Sequence, residues 1–181
     1  MDDIAGTEQF NKAYTGPRPD ILSLLPKGVR SVLDVGCSDG TLGASIKAHW
    51  PSIRVVGMES SSAMGAVAQL RLDRVLVGDI EHENALDGVT DERFDLIICA
   101  LEHLRDPWTM LRNIKPLLAQ NARVICSIPN VRHIDTVYNL VFKGVWPCRD
   151  RGIHDCTHLR FFTKKSVLEL FAKECMSIEP H

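Results

Sequence analysis

Short apolar runs alternate with longer segments of helical spacing along most of the chain. β-Branched and other apolar residues fill five runs, at 31–35, 54–58, 74–77, 94–99 and 123–128. Segments 41–49, 61–70 and 108–118 between them have helical spacing, and the last follows Asp106 as N-cap and Pro107 at the first helical position. Apolar strands separated by helices predict a doubly wound, mainly parallel α/β sheet with helices on both faces.

The alternation stops after Pro129, and residues 130–162 form an irregular stretch rich in His, Arg and aromatic side chains. A last helix is predicted from about Thr163. Ligands of open α/β sheets bind at the carboxyl ends of the strands. We therefore expect one domain over 1–181, with a ligand-binding core at 1–129 and a substrate-facing segment at 130–162. Phe161 and Phe162 point to opposite sides if extended, so at least one is predicted to be core.

Composition and charge narrow the class of protein. The chain has 181 residues, with 21 Lys and Arg against 23 Asp and Glu, a net charge of -2. Nothing in this balance neutralises phosphates, so a nucleic-acid partner is not expected. The first residues do not resemble a signal peptide and no apolar run reaches membrane-spanning length, which predicts a cytoplasmic protein without membrane insertion. Six Cys residues without a paired CxxC spacing are interpreted as reduced thiols.

The sharpest local feature is VLDVGCSDGTLG at 32–43, where an apolar run turns into a helical segment. Gly36 and Gly40 permit a tight turn and a close approach of backbone to a ligand, and Gly43 lets the helix pack near the strand. A turn needed only for packing is the open alternative. Glu59 follows about 20 residues after the loop, where a carboxylate can accept both hydroxyls of a ribose. Asp79, after the third run, could accept a hydrogen bond from an adenine amine.

Together these residues resemble the signature of class I S-adenosylmethionine-dependent methyltransferases. ALEHLRDPW (100–108), SIPNVRH (127–133), DCTHLRFFT (155–163) and YTGPRPDILSLLP (14–26) extend the resemblance to a bacterial subgroup linked to glycosyl-transfer and polysaccharide pathways. The resemblance implies a Rossmann-like fold, with S-adenosylmethionine as cofactor and S-adenosylhomocysteine as product. It implies that the 34–40 segment wraps the methionine part, Glu59 holds the ribose, Asp79 with Ile80 frames the adenine, and Tyr14 and Arg18 form a lid. The implied cofactor-binding residues are Tyr14, Arg18, Asp34, Gly36, Cys37, Ser38, Gly40, Glu59, Ser60, Asp79, Ile80 and Ala100.

Methyl transfer is an in-line displacement, so much of the rate comes from alignment. A hydroxyl acceptor also needs a base, and the candidate catalytic residues are Glu102, His103 and His158, with His133 nearby. Capping or packing roles for these side chains remain open. The expected acceptor is a small or sugar-type molecule of a glycan pathway, methylated on oxygen.

Two metal sites are weighed and not expected. Residues 99–103 resemble the acid-x-x-Glu-His segment of metal-assisted ubiquinone-pathway and small-RNA methyltransferases, but Cys99 stands where those enzymes have an acid. Cys148, His154, Cys156 and His158 offer zinc-type ligands whose spacing does not favour a tetrahedral site.

Two other function classes stay open. One is a non-catalytic S-adenosylmethionine-binding or regulatory module. The other is an NAD-dependent oxidoreductase, which the spacing of Gly36, Gly40 and Gly43 disfavours because it departs from GxGxxG. The antiparallel hairpin that usually ends the class I fold looks incomplete, which predicts a longer natural chain or a homodimer that covers an exposed sheet edge.

Overall fold

The computed structural model describes residues 16–174 and 176–177. Over this range the fold has five strands and six α-helices. The strands are β1 (Ser31–Val35), β2 (Arg54–Glu59), β3 (Arg74–Val77), β4 (Phe94–Cys99) and β5 (Leu118–Cys126). The helices are α1 (Pro19–Leu22), α2 (Thr41–His49), α3 (Ser62–Ala68), α4 (Pro107–Ile114), α5 (Ile134–Tyr138) and α6 (Lys164–Lys173).

The five strands form one parallel sheet in the order β3-β2-β1-β4-β5. The central β1 pairs with β2 on one side and with β4 on the other, so the direction of winding reverses beside it. This arrangement confirms the predicted doubly wound α/β fold. The reversal point is where ligands bind in such sheets, because the loops leaving neighbouring strands diverge there.

Alternating residues of β1 face two separate apolar layers. Leu33 and Val35 belong to one buried cluster, and Val32 belongs to the other. Both faces of the sheet are therefore covered, as the continuous apolar runs predict. The expected role of Gly43 is also seen, because a Cβ at this position would lie 2.9 Å from Val55 Cγ1 of β2.

Element boundaries differ most around β5. The predicted helix over 108–118 ends earlier, at Ile114, and is followed by a 3₁₀ turn at Lys115–Leu117 that contains Pro116. A proline inside a helix removes an N–H donor and clashes with the preceding turn. Strand β5 begins at Leu118 instead of residue 123, with a shift of register against β4 and a positive φ of 62° at Asn121. The start of such an irregular strand cannot be recognised from the pattern of apolar residues.

Residues 130–162 fold back over the carboxyl ends of the strands. Helix α5 continues as a π-helical turn, Asn139–Lys143, which ends at Gly144 with a φ of 64°. Val131 N donates to Phe162 O, and the Phe162 side chain is buried while Phe161 is exposed. The expectation that at least one of the two is core is thus confirmed.

The expectation that all cysteines are reduced thiols is wrong for one pair. Cys148 and Cys156 are joined by a disulfide. An isolated β-bridge between Arg149 and Asp155 brings their backbones together across a separation of eight residues, and the spacing alone does not reveal this loop conformation. Cytoplasmic localisation stays a prediction. None of the described helices is long and apolar enough to cross a bilayer.

The outer edge of β5 pairs with no other strand among the described residues. A groove of about 860 Å³ runs along this edge, between β5 and α6. The incomplete hairpin was expected at this place. Met176 and Ser177 are not in a strand, and the remaining terminal positions lie outside the described residues.

Candidate active site

The glycine loop leaves the carboxyl end of β1 and is held by the neighbouring strand. Gly36 N and Cys37 N both donate to Met58 O, at 2.8 and 3.0 Å. Gly36 and Gly40 have φ values of 80° and 79°, a conformation that glycine adopts without strain. A Cβ on Gly36 would meet no described atom within 4 Å, whereas one on Gly40 would lie 3.1 Å from Ala68 Cα. Gly40 is therefore needed for packing, and Gly36 leaves open space for a ligand to approach the backbone.

Asp34 is a buried carboxylate whose hydrogen bonding is incomplete. Its Oδ2 atom has no hydrogen-bond partner among the described residues. Burial, then the nearby Glu59 carboxylate, raises the pKa of Asp34 to about 7, while Arg18 acts in the opposite direction. An unpaired buried oxygen of this kind is costly unless a ligand supplies a donor or a positive charge. The methionine end of S-adenosylmethionine carries both, which fits the residues present.

Glu59 connects the glycine loop to the start of α3. Its Oε2 accepts from Ser38 N and its Oε1 accepts from Ser61 N, both at 2.8 Å. Ser60 Oγ also donates to Oε1, at 3.3 Å. Oε2 retains capacity for a second donor, and the longer bond from Ser60 Oγ to Oε1 can be exchanged for another, so Glu59 can hold the loop and still accept ribose hydroxyls.

Asp79 follows β3 and is engaged by a residue that lies beyond β4. Arg105 Nη2 donates to Asp79 Oδ2 at 2.9 Å, and Arg105 Nε donates to Glu81 Oε2 at 3.2 Å. Sequence reasoning missed Glu81 and Arg105, because ion pairs between distant segments leave no local signal. Together they tie the predicted adenine-binding turn to the loop that carries Glu102.

The other predicted cofactor residues lie around the same strand ends. Ile80 is buried, Ala100 directly follows β4, and the Cys37 side chain packs where a Cβ on Gly57 would be 2.5 Å from its Sγ. The Arg18 guanidinium forms two hydrogen bonds with Asp20, which raise its pKa, and it also acts electrostatically on Glu102 and Asp34. Tyr14 lies outside the described residues.

The three predicted catalytic side chains come together beyond the end of β4. Ligand atoms of Glu102, His103 and His158 lie within 4.8 Å of one another. Leu159 N and Arg160 N both donate to Glu102 O, at 2.7 and 3.0 Å, and these bonds hold the His158 segment in place. Glu102 is buried, and its Oε2 has no hydrogen-bond partner among the described residues.

Hydrogen bonds define which imidazole nitrogens can act as bases. Thr157 donates its hydroxyl to Asp155 Oδ1 at 2.8 Å, so it accepts from His103 Nδ1, 3.2 Å away. His158 Nδ1 lies 3.3 Å from the carbonyl oxygen of Ile153, which can only accept. Both rings are therefore assigned the Nδ1–H tautomer, in which Nε2 is the nitrogen that can accept a proton. Thr157 and Asp155 are positioning residues that sequence reasoning did not single out.

His133 does not join this cluster. Its Nδ1 accepts from Asp135 N at 3.3 Å and caps α5. The discounted zinc set does not assemble either, because Cys148 is bonded to Cys156 and His154 Nε2 lies 3.0 Å from Thr136 Oγ1. These side chains stabilise the segment.

Glu102, His103 and His158 are a donor set that could hold a divalent cation. Their two imidazole nitrogens and one carboxylate suit zinc or another transition metal better than magnesium. A fourth ligand from Cys99 is not in place, because its Sγ lies 2.9 Å from Cys126 Sγ on the adjacent strand. The hydrogen bond with Cys99, followed by burial, raises the pKa of the Cys126 thiol.

Comparison with known proteins finds methyltransferases among the relatives of this chain. Trans-aconitate 2-methyltransferase of Escherichia coli O17:K52:H18 is 27% identical over 148 residues, covering 79% of this chain and 57% of the relative. Ubiquinone biosynthesis O-methyltransferase of Coxiella burnetii is 28% identical over 131 residues, covering 70% of this chain and 55% of the relative. The chain thus spans little more than half the length of these two relatives.

A solved structure shows the same fold. The plantazolicin methyltransferase BpumL, in complex with a pentazolic desmethylPZN analog and SAH, superposes with a TM-score of 0.64 at 19% identity, covering 90% of this chain and 62% of that one. The family model described as "Methyltransferase domain" matches residues 10–174. The chain therefore belongs to the methyltransferase domain family.

Proposed function

We propose that this chain binds S-adenosylmethionine and transfers its methyl group to a hydroxyl oxygen of a small or glycan-pathway acceptor. Family membership and the strand-end geometry support the cofactor part of the proposal. The resemblance to the subgroup linked to glycosyl transfer, and the O-methyltransferase name of one relative, support the acceptor part. The fold alone does not identify an acceptor.

The cofactor would lie across the carboxyl ends of β1 to β4. Asp34 would face its positive charge, the open space at Gly36 would admit its methionine part, and Glu59 would accept from its ribose. Bound S-adenosylmethionine supplies an electrophilic methyl group on a positively charged sulfur. The protein's own contribution is to align the acceptor with that group and to accept the hydroxyl proton.

The observation that carries the proposal is the convergence of Glu102, His103 and His158 beside the glycine loop. Val35, which precedes Gly36, pairs in register with Cys99, so the loop after β1 and the loop with Glu102 leave the sheet side by side. An acceptor hydroxyl between them would reach Nε2 of His158. The proton would pass to that nitrogen as the oxygen attacks, and buried Glu102 would stabilise the resulting imidazolium.

The test is transfer of label from methyl-labelled S-adenosylmethionine to a panel of sugars and nucleotide sugars. Removing a general base lowers turnover by about 10²- to 10⁴-fold. We expect this loss for His158→Ala, with cofactor binding retained. His49→Ala is the matched control, because His49 lies at the far end of α2. Unchanged turnover in His158→Ala would overturn the proton-transfer role, and cofactor binding without transfer to any acceptor would favour the non-catalytic module.

A second experiment distinguishes base catalysis from metal-assisted transfer. The close approach of the three donor atoms is also compatible with a bound metal ion. Turnover is measured after chelation and again after addition of zinc, manganese or magnesium. The base mechanism predicts the same turnover in each condition. Activity that is lost on chelation and restored by one cation would replace it with metal-assisted transfer.

A further inference from the structure

Residues 134–145 carry an apolar stripe that points towards solvent. Across α5 and the following π-helical turn, six apolar positions recur at intervals of one helical turn. Between 39% and 74% of the surface of each is exposed. The residues of this stripe are Ile134, Val137, Tyr138, Val141, Phe142 and Val145.

The inward side of the same helix is polar. Thr136 and Asn139 are buried, and both have partners. Thr136 Oγ1 pairs with His154 Nε2 at 3.0 Å, and Asn139 Nδ2 donates to Asp135 O at 2.7 Å. This is the reverse of an ordinary surface helix, which hides its apolar stripe against the core. Contiguous exposed apolar surface of this kind marks an interaction site.

The charges around the stripe indicate the kind of surface it meets. Residues 130–152 contain four Lys and Arg and two Asp, a net charge of +2 in a chain whose total is -2. Arg132, Lys143 and Arg151 are exposed, while Asp135 pairs with Arg149 at 3.0 Å. Two copies meeting through this face would bring like charges together. An anionic partner would be attracted instead.

The aromatic residues of this region support the same kind of partner. Tyr138 and Phe142 lie on the stripe with ring centroids 5.5 Å apart, and Lys143 Nζ lies 5.0 Å from the Tyr138 ring. Trp146 extends the stripe and packs edge-on against Phe161 at 4.6 Å. Amphipathic helices that combine large apolar and aromatic side chains with Lys and Arg lie in the headgroup region of bilayers.

We propose that the apolar stripe at 134–145 binds the surface of an anionic phospholipid bilayer. Binding at a surface needs no spanning helix. The stripe starts eight positions after the end of β5, and its segment carries His158, which contacts His103 with ring centroids 4.8 Å apart. The bound face therefore lies near the carboxyl ends of the strands, where the candidate site is. An acceptor with an apolar tail could reach that site without leaving the lipid.

The test is cosedimentation of the protein with vesicles, without any cofactor. We expect binding to vesicles that contain phosphatidylglycerol and much weaker binding to phosphatidylcholine alone. Added salt is expected to weaken the binding, because the basic residues are exposed. Phe142→Asp is expected to lower the partition coefficient by roughly ten-fold or more, and Lys143→Gln by roughly five-fold. Leu70→Asp is the matched control, since Leu70 is also a mostly exposed apolar residue and lies outside the stripe.

Circular dichroism and sedimentation velocity on the same variants make the outcome decisive. Phe142 is exposed, so its replacement is expected to leave the fold intact. Equal binding to both vesicle types, or equal binding by Phe142→Asp and the unmodified chain, would overturn the proposal. Absence of vesicle binding, together with a dimer that Phe142→Asp dissociates, would assign the stripe to a second copy. The assay needs no methyl transfer, so its failure would leave the proposed activity unaffected.

Discussion

The sheet core and the 130–162 segment bury their polar groups in opposite ways. In the core, Asp34 and Glu102 each leave a buried oxygen without a described partner at the strand ends. In the segment, the buried side chains Thr136 and His154 pair with each other. Partnered polar groups stabilise a fold, whereas unpartnered ones cost free energy that a ligand can recover. The difference supports the proposal that the strand ends bind the cofactor, while the segment holds His158 beside them.

Substitutions of two histidines in the segment are expected to have the largest effects, and they test this comparison most directly. His154 is buried against Thr136 and Trp146, and His158 faces His103. His158→Ala is expected to lower turnover by about 10²- to 10⁴-fold with an unchanged melting temperature. His154→Ala is expected to lower the melting temperature, because it leaves Thr136 unpaired in the interior. Turnover and thermal melting of both variants check this assignment, and the reverse pattern would exchange the two roles.

The next largest expected effect is the pH dependence of folding stability that Asp34 causes. Its pKa is raised to about 7, so ionisation of the buried group disfavours the folded state as pH rises from the ordinary value of 3.8 to about 7. The loss is on the order of 4 kcal/mol. Without cofactor, Asp34→Asn is therefore expected to melt at a higher temperature than the unmodified chain at pH 8 and at a similar temperature at pH 4.

Cofactor affinity is expected to respond to Asp34 in the opposite direction. A positively charged ligand prefers the ionised carboxylate, so affinity for S-adenosylmethionine should rise as pH increases through about 7. Asp34→Asn should bind weakly at every pH. Melting curves and calorimetric titrations across this range measure both effects. A variant that gained no stability at pH 8 would show that Asp34 is not destabilising.

Truncation of an apolar side chain in each region sharpens the comparison further. Leu33 is fully buried in β1, and Leu33→Ala is expected to cost about 2–5 kcal/mol of unfolding free energy. Phe142 is mostly exposed, and Phe142→Ala is expected to stay within about 0.5 kcal/mol. Denaturant unfolding measures both. A large loss for Phe142→Ala would mean that the stripe packs against other parts of the fold.

The same contrast explains what could be predicted from the sequence. The core follows binary patterning, because Leu33 and Val32 must face opposite apolar layers. The sheet and most of the strand ends could therefore be predicted from the apolar runs. In the segment, Phe142 faces solvent and Thr136 faces inward, so patterning gives no guide to the π-helical turn. The disulfide depends on the conformation of the loop at 148–156, and the Arg105 ion pairs depend on contacts between distant positions. The grouping of Glu102, His103 and His158 was predicted, because two motifs that resemble one family's pattern supply all three.

The central claim is that the strand ends bind S-adenosylmethionine through Glu59, and calorimetric titration tests it most directly. The unmodified chain is expected to bind S-adenosylmethionine and S-adenosylhomocysteine. Glu59→Ala should weaken both by roughly a hundred-fold or more, because two charge-assisted hydrogen bonds are lost, and Glu59→Gln should weaken them less. Glu169→Ala, on the exposed side of α6, should bind as the unmodified chain does. Folded protein that binds neither ligand, or Glu59→Ala that binds as tightly as the unmodified chain, would contradict the account.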